Sequence, residues 1–357
     1  MKNTFSLTAF FVLFIITVST AQDIHFSQYN FSALTLNPAL TAAYKDLQAT
    51  IQHKEQWRTQ NAFRTSAATF EFKLGQPNWK KIDNKPGAFK KKFMKGLALG
   101  VNVFSDNAGD GNMKQTQANL SVAYHALLNK QNTLSAGIMA GVAQRSFSPE
   151  GLRWNNQYAG GSYNSAAITG ENFSNRSFVY ADYAAGLLWS YGNGTSYLSS
   201  NDQQHINAGF SIAHLSKPSY SFVSNASERL NWKYTFHANS LFGIKNTKYS
   251  IGPSILFMQQ GAVSEFTSGV AVKYKFKEES KYTGMIKGSA ISFGCYYRNK
   301  DAIIPYFLIE IDKYAMGISY DTNISGLASA TSGRGGFEIS LRFNTPSPFL
   351  YQTKSSF

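Results

Sequence analysis

Fourteen segments of the chain alternate between apolar and polar residues for about eight to twelve positions each. Strict alternation places successive side chains on opposite faces of a β-strand. Strands of about this length suit a tilted crossing of a bilayer, which tolerates no open sheet edge. The pattern therefore predicts an all-β fold, a transmembrane antiparallel β-barrel of about 14 strands in a bacterial outer membrane. The predicted strands cover residues 49–57, 64–74, 95–104, 117–127, 133–145, 179–191, 205–214, 233–244, 249–258, 263–275, 287–297, 303–310, 313–321 and 335–343.

The composition fits this prediction. Aromatic residues make up 15% of the chain, with 20 Tyr and 28 Phe, and aromatic girdles at the two membrane interfaces explain that excess. The mean hydropathy is slightly negative, as expected where only every second strand residue meets lipid. A soluble β-sandwich is the alternative that the pattern alone leaves open.

The two ends of the chain differ from the alternating part. Residues 1–21 have the positive end, short apolar core and small final residues of a secretory signal peptide, so we expect cleavage near Ala21. Residues 22–48 lack alternation and contain the Asn37-Pro38 turn signal, which predicts a segment under the barrel or folded back into its lumen. The barrel is expected over residues 49–343 and a C-terminal tail over residues 344–357.

An even number of strands places both termini on the periplasmic side. The longest loop, residues 146–178, then faces the cell exterior together with the shorter loops 105–116, 215–232 and 322–334. We expect Trp154, Tyr158 and Tyr163 in the longest loop to contact an exported protein, because aromatic residues carry much of the energy of protein binding. A place in an interface girdle is the alternative for these three residues.

A basic run lies in the turn 75–94 and just beyond it. Seven lysines occur between Lys80 and Lys95 against a single aspartate, Asp83. In an exported protein such a run favours an acidic partner or an anionic surface, and we expect no nucleic acid. The same topology places it in the periplasm, and the lysines assigned to a periplasmic partner are Lys80, Lys81, Lys90, Lys91 and Lys92. A solvated turn is the alternative.

The last alternating segment carries a further pattern. Arg334, Gly336, Ile339 and Leu341 match polar-x-Gly-x-x-apolar-x-apolar, the form of a barrel-assembly signal. Its position at the end of a long series of alternating segments strengthens the match.

Few residues point to chemistry. The six histidines show no metal-ligand spacing, and the chain lacks a Gly-Lys-Ser/Thr phosphate loop and a Gly-x-Ser-x-Gly elbow. Residues 106–112 resemble a calcium loop in composition but lack its closing Glu. We therefore expect no enzyme, no cofactor and no metal. A hydrolase that pairs His125 or His214 with a serine of a neighbouring strand is the alternative. The single cysteine, Cys295, cannot form an internal disulfide and is expected to face lipid.

Short motifs along the chain resemble those of the PorP/SprF family of Bacteroidetes outer-membrane proteins. They run in order over essentially the whole chain after the signal peptide. The motifs are QDIHFSQYNFSALTLNPAL at 22–40, QWR at 56–58, GLALG at 96–100 followed by Asp106, AHLSKP at 213–218, IGPS at 251–254, YRNKDA at 297–302, GISYD at 317–321 and GGFEISL at 335–341.

The resemblance implies a non-enzymatic barrel of the type IX secretion system that works with periplasmic ring components of that system and with gliding-motility adhesins. It further implies that the barrel receives adhesins bearing a C-terminal targeting domain and supports their secretion or holds them at the cell surface. A diffusion channel or small-solute transporter is the alternative. The predicted inner face argues against a channel, because Gly, Ala and Ser outnumber the charged residues that porins use to select ions.

Overall fold

The alternating segments form strands in a computed structural model of the protein. The structure describes residues 24–57, 63–74, 96–129, 131–150, 152–159, 161–171, 176–193, 201–222, 228–277, 288–326 and 328–345. The expected signal peptide, the assigned lysines of the basic run and almost all of the expected tail lie outside these residues. The described strands are β1 (Leu47–Gln56), β2 (Phe63–Lys73), β3 (Leu97–Ala108), β4 (Met113–Leu127), β5 (Asn132–Ser146), β6 (Tyr158–Ala159), β7 (Ser162–Tyr163), β8 (Ser177–Asn193), β9 (Gln204–Ala213), β10 (Lys233–Gly243), β11 (Tyr249–Gln260), β12 (Val263–Lys277), β13 (Ser289–Arg298), β14 (Ala302–Ile311), β15 (Tyr314–Asn323) and β16 (Arg334–Thr345).

All strands except β6 and β7 join one closed antiparallel barrel of fourteen strands. Strand β1 closes it by pairing with β16, from Leu47 opposite Thr345 to Gln56 opposite Gly336. The prediction of a 14-stranded barrel is confirmed, and every predicted strand overlaps an observed one. Closure leaves no sheet edge to face lipid, which is what a membrane requires of strands.

One predicted loop is much shorter than expected. Residues 105–116 form mostly strand, because Asp106 pairs with Gln115 and Asn107 with Lys114 in the β3–β4 ladder. Only four residues, 109–112, remain as a turn between the two strands. The polar side chains of these residues suggested a loop. Beyond the hydrocarbon region, however, a strand can carry polar side chains as long as its backbone groups are paired with the neighbouring strand.

The two faces of the wall follow the alternation. Leu120, Ile138 and Val142 are exposed on the outside, whereas Asn119 and Ser121 are buried towards the lumen. Cys295 is also exposed on the wall, as the sequence predicted. No helix among the described residues is long and apolar enough to cross a membrane. The described helices are short: α1 (Ala33–Leu36), α2 (Ala328–Thr331) and single 3-10 turns at Pro38–Leu40 and Asn155–Gln157.

The barrel has two rims, which we name by their loops. The long-loop rim contains the end of β1 and the connections 147–176 and 214–232. The opposite rim contains the start of β1 and the end of β16, so these two strand ends share one side, as the even strand number requires.

Residues 24–46, here called the lumen segment, occupy the inside of the barrel. Their hydrogen bonds reach strands on all sides of the wall, including β2, β4, β9 and β16. The segment begins beside Trp57 at the long-loop rim, where Ile24 helps to line a cavity. It ends at Asp46, whose amide donates to the carbonyl of Thr345 at the opposite rim. The segment therefore runs the length of the lumen.

Candidate functional site

A buried charge cluster ties the start of the lumen segment to the wall. We call it the Ser27 cluster; it consists of Ser27, Lys54, Arg298, Asp321 and Glu338. The Ser27 hydroxyl accepts from Lys54 Nζ at 3.0 Å and from Arg298 Nη2 at 2.8 Å. It donates to Asp321 Oδ2 at 2.7 Å, and the Ser27 amide donates to Glu338 Oε2 at 2.7 Å. One short side chain thus bridges two cations and a carboxylate.

The four charged members of the Ser27 cluster are almost fully buried. Lys54 lies 3.3 Å from Asp321, and Arg298 lies 3.1 Å from the same carboxylate. Buried charges are tolerated when they are paired and hydrogen-bonded, and removal of one partner is strongly destabilising. The cluster therefore holds the lumen segment in one position relative to strands β1, β13, β15 and β16.

Next to this cluster, His25 is held in its neutral form. Burial removes water from the imidazolium and lowers the pKa of His25 well below its usual value. The nearby cations of Lys54 and Arg298 lower the pKa further, in opposition to the carboxylate of Asp321. The start of the lumen segment thus adds no positive charge to a region that already holds two cations.

The Asn37-Pro38 turn makes a second attachment, in the middle of the barrel. The Asn37 amide group donates to the carbonyl of Leu187 at 2.9 Å and to that of Phe210 at 3.3 Å. Its own oxygen accepts from the Ala39 amide at 2.8 Å, which caps the following 3-10 turn. A Cβ atom at Gly186 of the wall would overlap with this oxygen. The small inward residues of the predicted strands thus make room for the lumen segment.

The end of the lumen segment makes a third attachment. The Ala42 amide donates to Glu71 Oε2 at 2.7 Å, and the Thr41 hydroxyl donates to Ser121 Oγ at 2.9 Å. His125 Nε2 lies 2.9 Å from the carbonyl of Thr41 and Nδ1 lies 2.7 Å from Ser135 Oγ. Both ring nitrogens of His125 are therefore engaged, Nε2 with the lumen segment and Nδ1 with the neighbouring wall strand β5. This arrangement gives a structural role to a histidine that the hydrolase alternative would have used.

The second histidine of the hydrolase alternative pairs with a carboxylate. His214 Nδ1 lies 3.0 Å from Asp182, and both side chains are buried. His214 has a positive φ of 60° where the chain leaves β9, so it belongs to the turn that begins the connection 214–232. Among the described residues, no group of three or more His, Cys, Asp or Glu side chains is arranged to hold a metal ion.

An aromatic cluster at the long-loop rim joins the two long connections. The Phe222 ring lies 4.8 Å from that of Phe147 and 4.9 Å from that of Phe178. Tyr220 contacts Phe178 and Tyr180, with 5.7 Å between ring centroids in both pairs. These residues were not among those predicted to form a site, although the aromatic residues beside both connections were the available signal in the sequence.

The three aromatic residues expected to contact an exported protein, here called the client, lie in the connection 147–176. Trp154 is half-buried and precedes the 3-10 turn Asn155–Gln157. Tyr158 is exposed, and its ring lies 5.5 Å from that of Tyr163 across the β6–β7 hairpin. The guanidinium of Arg153 lies 4.9 Å from the Tyr163 ring centroid. The three residues share one connection, and the two tyrosines are in contact. A role in client binding stays a prediction.

The residues of the expected barrel-assembly signal lie on β16, the closing strand. Arg334 is its first residue, Gly336 faces β1, and Leu341 is exposed on the outer wall. Ile339 is half-buried. Recognition of these residues during assembly stays a prediction.

Comparison with known proteins decides the family. The model of the type IX secretion system membrane protein PorP/SprF matches residues 18–343. The chain belongs to the PorP/SprF family. The resemblance noted from its motifs is confirmed, and this PorP/SprF protein is a membrane protein of type IX secretion with an outer-membrane barrel fold. Family and fold are those of a secretion membrane protein of the outer membrane. No curated protein matches the chain.

Solved structures similar to this PorP/SprF protein are distant barrels. BamA from Haemophilus ducreyi, lacking POTRA domains 1–3, is 8% identical with a TM-score of 0.40; the match covers 84% of this chain and 70% of that one. CdiB from Acinetobacter baumannii is 5% identical with a TM-score of 0.39, over 84% and 60% of the two chains. An outer membrane channel from Pseudomonas putida F1 is 9% identical with a TM-score of 0.35, over 84% and 94%.

Proposed function

We propose that this protein is a secretion-linked anchor, a barrel that supports the secretion or surface attachment of adhesins bearing a C-terminal targeting domain. The observation that carries the proposal is the filled lumen. Residues 24–46 run through it and are attached near each end and in the middle. A filled barrel offers its rims and its wall to partners and leaves little space for solutes to pass.

In this proposal the long-loop rim faces the cell exterior and the opposite rim faces the periplasm. The exported adhesin contacts the connection that carries Trp154, Tyr158 and Tyr163. The lysines of the run 80–95 contact an acidic surface of a periplasmic ring component. Cleavage near Ala21 releases the mature chain, and the outer wall contacts membrane lipid. Support for this orientation comes from the longest connection, 147–176, which lies at the rim assigned to the exterior, as in other outer-membrane barrels.

A deletion strain tests the proposal. Cells that lack this protein are fractionated, and their adhesins are followed at the surface, in the periplasm and in the medium. We expect loss from the surface with accumulation elsewhere, and rescue when the gene is restored. Unchanged surface adhesins would reject the anchor and leave family membership without this role.

A diffusion channel is the second candidate, and one observation favours it. The lumen contains charged side chains, among them Lys54, Arg298 and Asp321, and charged lumen residues are typical of selective pores. These charges are paired with one another around Ser27, however, so they are not displayed to a passing solute. Flux into liposomes separates the candidates: an anchor conducts poorly, whereas fast uptake of small solutes would favour the channel.

A further inference from the structure

A cavity of about 500 Å³ lies inside the long-loop rim. Ile24 and His25, the first described residues of the lumen segment, form part of its lining. Trp57, Met113, Arg145 and Tyr220 contribute from the barrel wall and from the connection 214–232. The volume falls within the range of about 300 to 1,000 Å³ that is common for ligand sites in proteins. The lumen segment therefore closes the barrel below the rim and leaves a recess above it.

Trp57 is held in the recess by an unusual backbone conformation. Its φ is 50°, a left-handed value that bulky residues rarely adopt. The Trp57 amide donates to the carbonyl of Gly335 at 3.0 Å, and the indole meets the Phe63 ring edge-to-face with 5.0 Å between centroids. Strained residues of this kind persist where the surroundings enforce them, and they concentrate at functional sites. The indole is thus fixed in the wall of the cavity.

On another part of the lining, Arg145 is fixed between two neighbours. Its guanidinium lies 4.4 Å from the Tyr220 ring centroid, and its Nη2 lies 2.7 Å from the sulfur of Met113. The Tyr220 hydroxyl lies 3.4 Å from Gln115, which also donates to Tyr180 at 3.3 Å. The aromatic cluster of the long loops is therefore continuous with the lining of the cavity.

The chemistry of the lining indicates the kind of occupant. Among the lining residues, Arg145 and Asp106 carry opposite formal charges, and Asp106 already accepts a hydrogen bond from Thr65. The side-chain amides of Gln56, Gln115 and Gln260 can pair with peptide N–H and C=O groups. Trp, Tyr, Arg and Met are the residues enriched in the buried centres of protein interfaces.

We propose that this cavity receives an extended, uncharged segment of the exported adhesin, which inserts an aromatic or aliphatic side chain beside Trp57 and Tyr220. This inference rests on the proposed function and adds to it the place and chemistry of client capture. The three amide side chains hold the backbone of the inserted segment. The exposed β6–β7 hairpin is then a second, outer contact with the same adhesin, and the lumen segment acts as the floor against which the client stops.

Photo-crosslinking in cells tests the inference. A photoreactive phenylalanine analogue is placed at Phe63 or Leu230 in the cavity, at Tyr158 on the exposed hairpin, or at Leu120 on the lipid-facing wall. We expect adhesin crosslinks from both cavity positions and none from Leu120. In a second measurement, Trp57→Ala should reduce the crosslink yield from Leu230 by about tenfold or more, the effect of losing a hot-spot residue.

Each outcome separates the inference from the proposed function. Adhesin crosslinks from Tyr158 alone would overturn the cavity site and leave the anchor intact. Crosslinks from the cavity to surface glycan, or to a second copy of this chain, would also overturn it. If no position crosslinks to an adhesin and the deletion strain retains its surface adhesins, the anchor itself fails. An unchanged yield with Trp57→Ala, in a barrel that assembles normally, would remove Trp57 from the site.

Discussion

At the scale of single residues, the most demanding environment is that of Ser27. Its hydroxyl accepts from Lys54 and Arg298 and donates to Asp321, so all its hydrogen-bonding capacity is used. Each charged neighbour depends on the others for charge pairing, because all are buried away from water. Single changes in this cluster should therefore cost far more than comparable changes on the surface.

Arg298→Met should destabilise the barrel by about 3 to 5 kcal/mol, because it leaves the buried carboxylates of Asp321 and Glu265 without their arginine. The matched control is Arg64→Met, since Arg64 also pairs with a glutamate, at 3.2 Å, but is 62% exposed. We expect about 1 kcal/mol or less for the control. Urea unfolding in detergent, followed by the heat-dependent shift of the folded band in gels, measures both. Equal losses would contradict the role given to the cluster.

The neutral state of His25 predicts a dependence of stability on pH. An unfolded histidine takes up a proton below about pH 6.5, whereas the lowered pKa of His25 delays uptake in the folded chain. The unfolded state then binds more protons, so stability is fully present above about pH 6.5 and falls as the pH is lowered further. The change His25→Gln should weaken this loss when unfolding is compared at pH 7.5 and pH 5. An equal loss in His25→Gln and in the unchanged protein would contradict this role for His25.

At the scale of elements, the sequence predicts the strands well and the lumen segment poorly. Alternation reports which face of a strand meets lipid, so the fourteen wall strands could be located from local pattern alone. The lumen segment has no such periodicity, because its residues contact different wall strands that are far away in the sequence. The small inward residues, such as Gly137 and Gly186, were the available signal of a filled lumen. Only the structure places their partners, Pro38 and Asn37, against them.

Gly186→Ala should displace the lumen segment, because the added Cβ would overlap with the Asn37 side chain. We expect a loss of stability of about 1 to 3 kcal/mol, as for other overpacked interiors, and a rise in ion conductance across planar bilayers. Gly111→Ala is the control, since its nearest neighbour lies 3.6 Å from the added atom. Unchanged conductance in a destabilised Gly186→Ala barrel would mean that the segment still fills the lumen after the change.

At the scale of the whole molecule, the two rims expose different parts of the chain. The first wall strand begins and the last wall strand ends at the opposite rim. Ile24 nevertheless lies at the long-loop rim, because the lumen segment crosses the barrel before β1 begins. The expectation of both termini on one side therefore holds for the start of β1 and the end of β16. The start of the lumen segment lies at the other rim. The client site proposed above and the start of this segment therefore share the same side.

Cysteine labelling in intact cells tests this arrangement. In a Cys295→Ser background, Ile24→Cys and Tyr158→Cys should react with a membrane-impermeant maleimide added outside the cells. Asn246→Cys, in a turn at the opposite rim, should react only after the outer membrane is opened. Labelling of Asn246→Cys alone in intact cells would reverse the proposed orientation. Labelling of Tyr158→Cys without Ile24→Cys would place the start of the lumen segment out of reach of the exterior.

The Ser27 cluster also has a consequence for biogenesis. Ser27 and its partner Glu338 are separated by 311 residues, and Arg298 and Asp321 also come late in the chain. The first part of the chain cannot complete its contacts until the last strands have formed, so these contacts contribute nothing to early folding. A truncated or misregistered barrel would leave the early residues unpartnered and open to proteolysis. The complete cluster therefore forms only in a full-length, correctly closed chain, and its formation marks the end of barrel assembly.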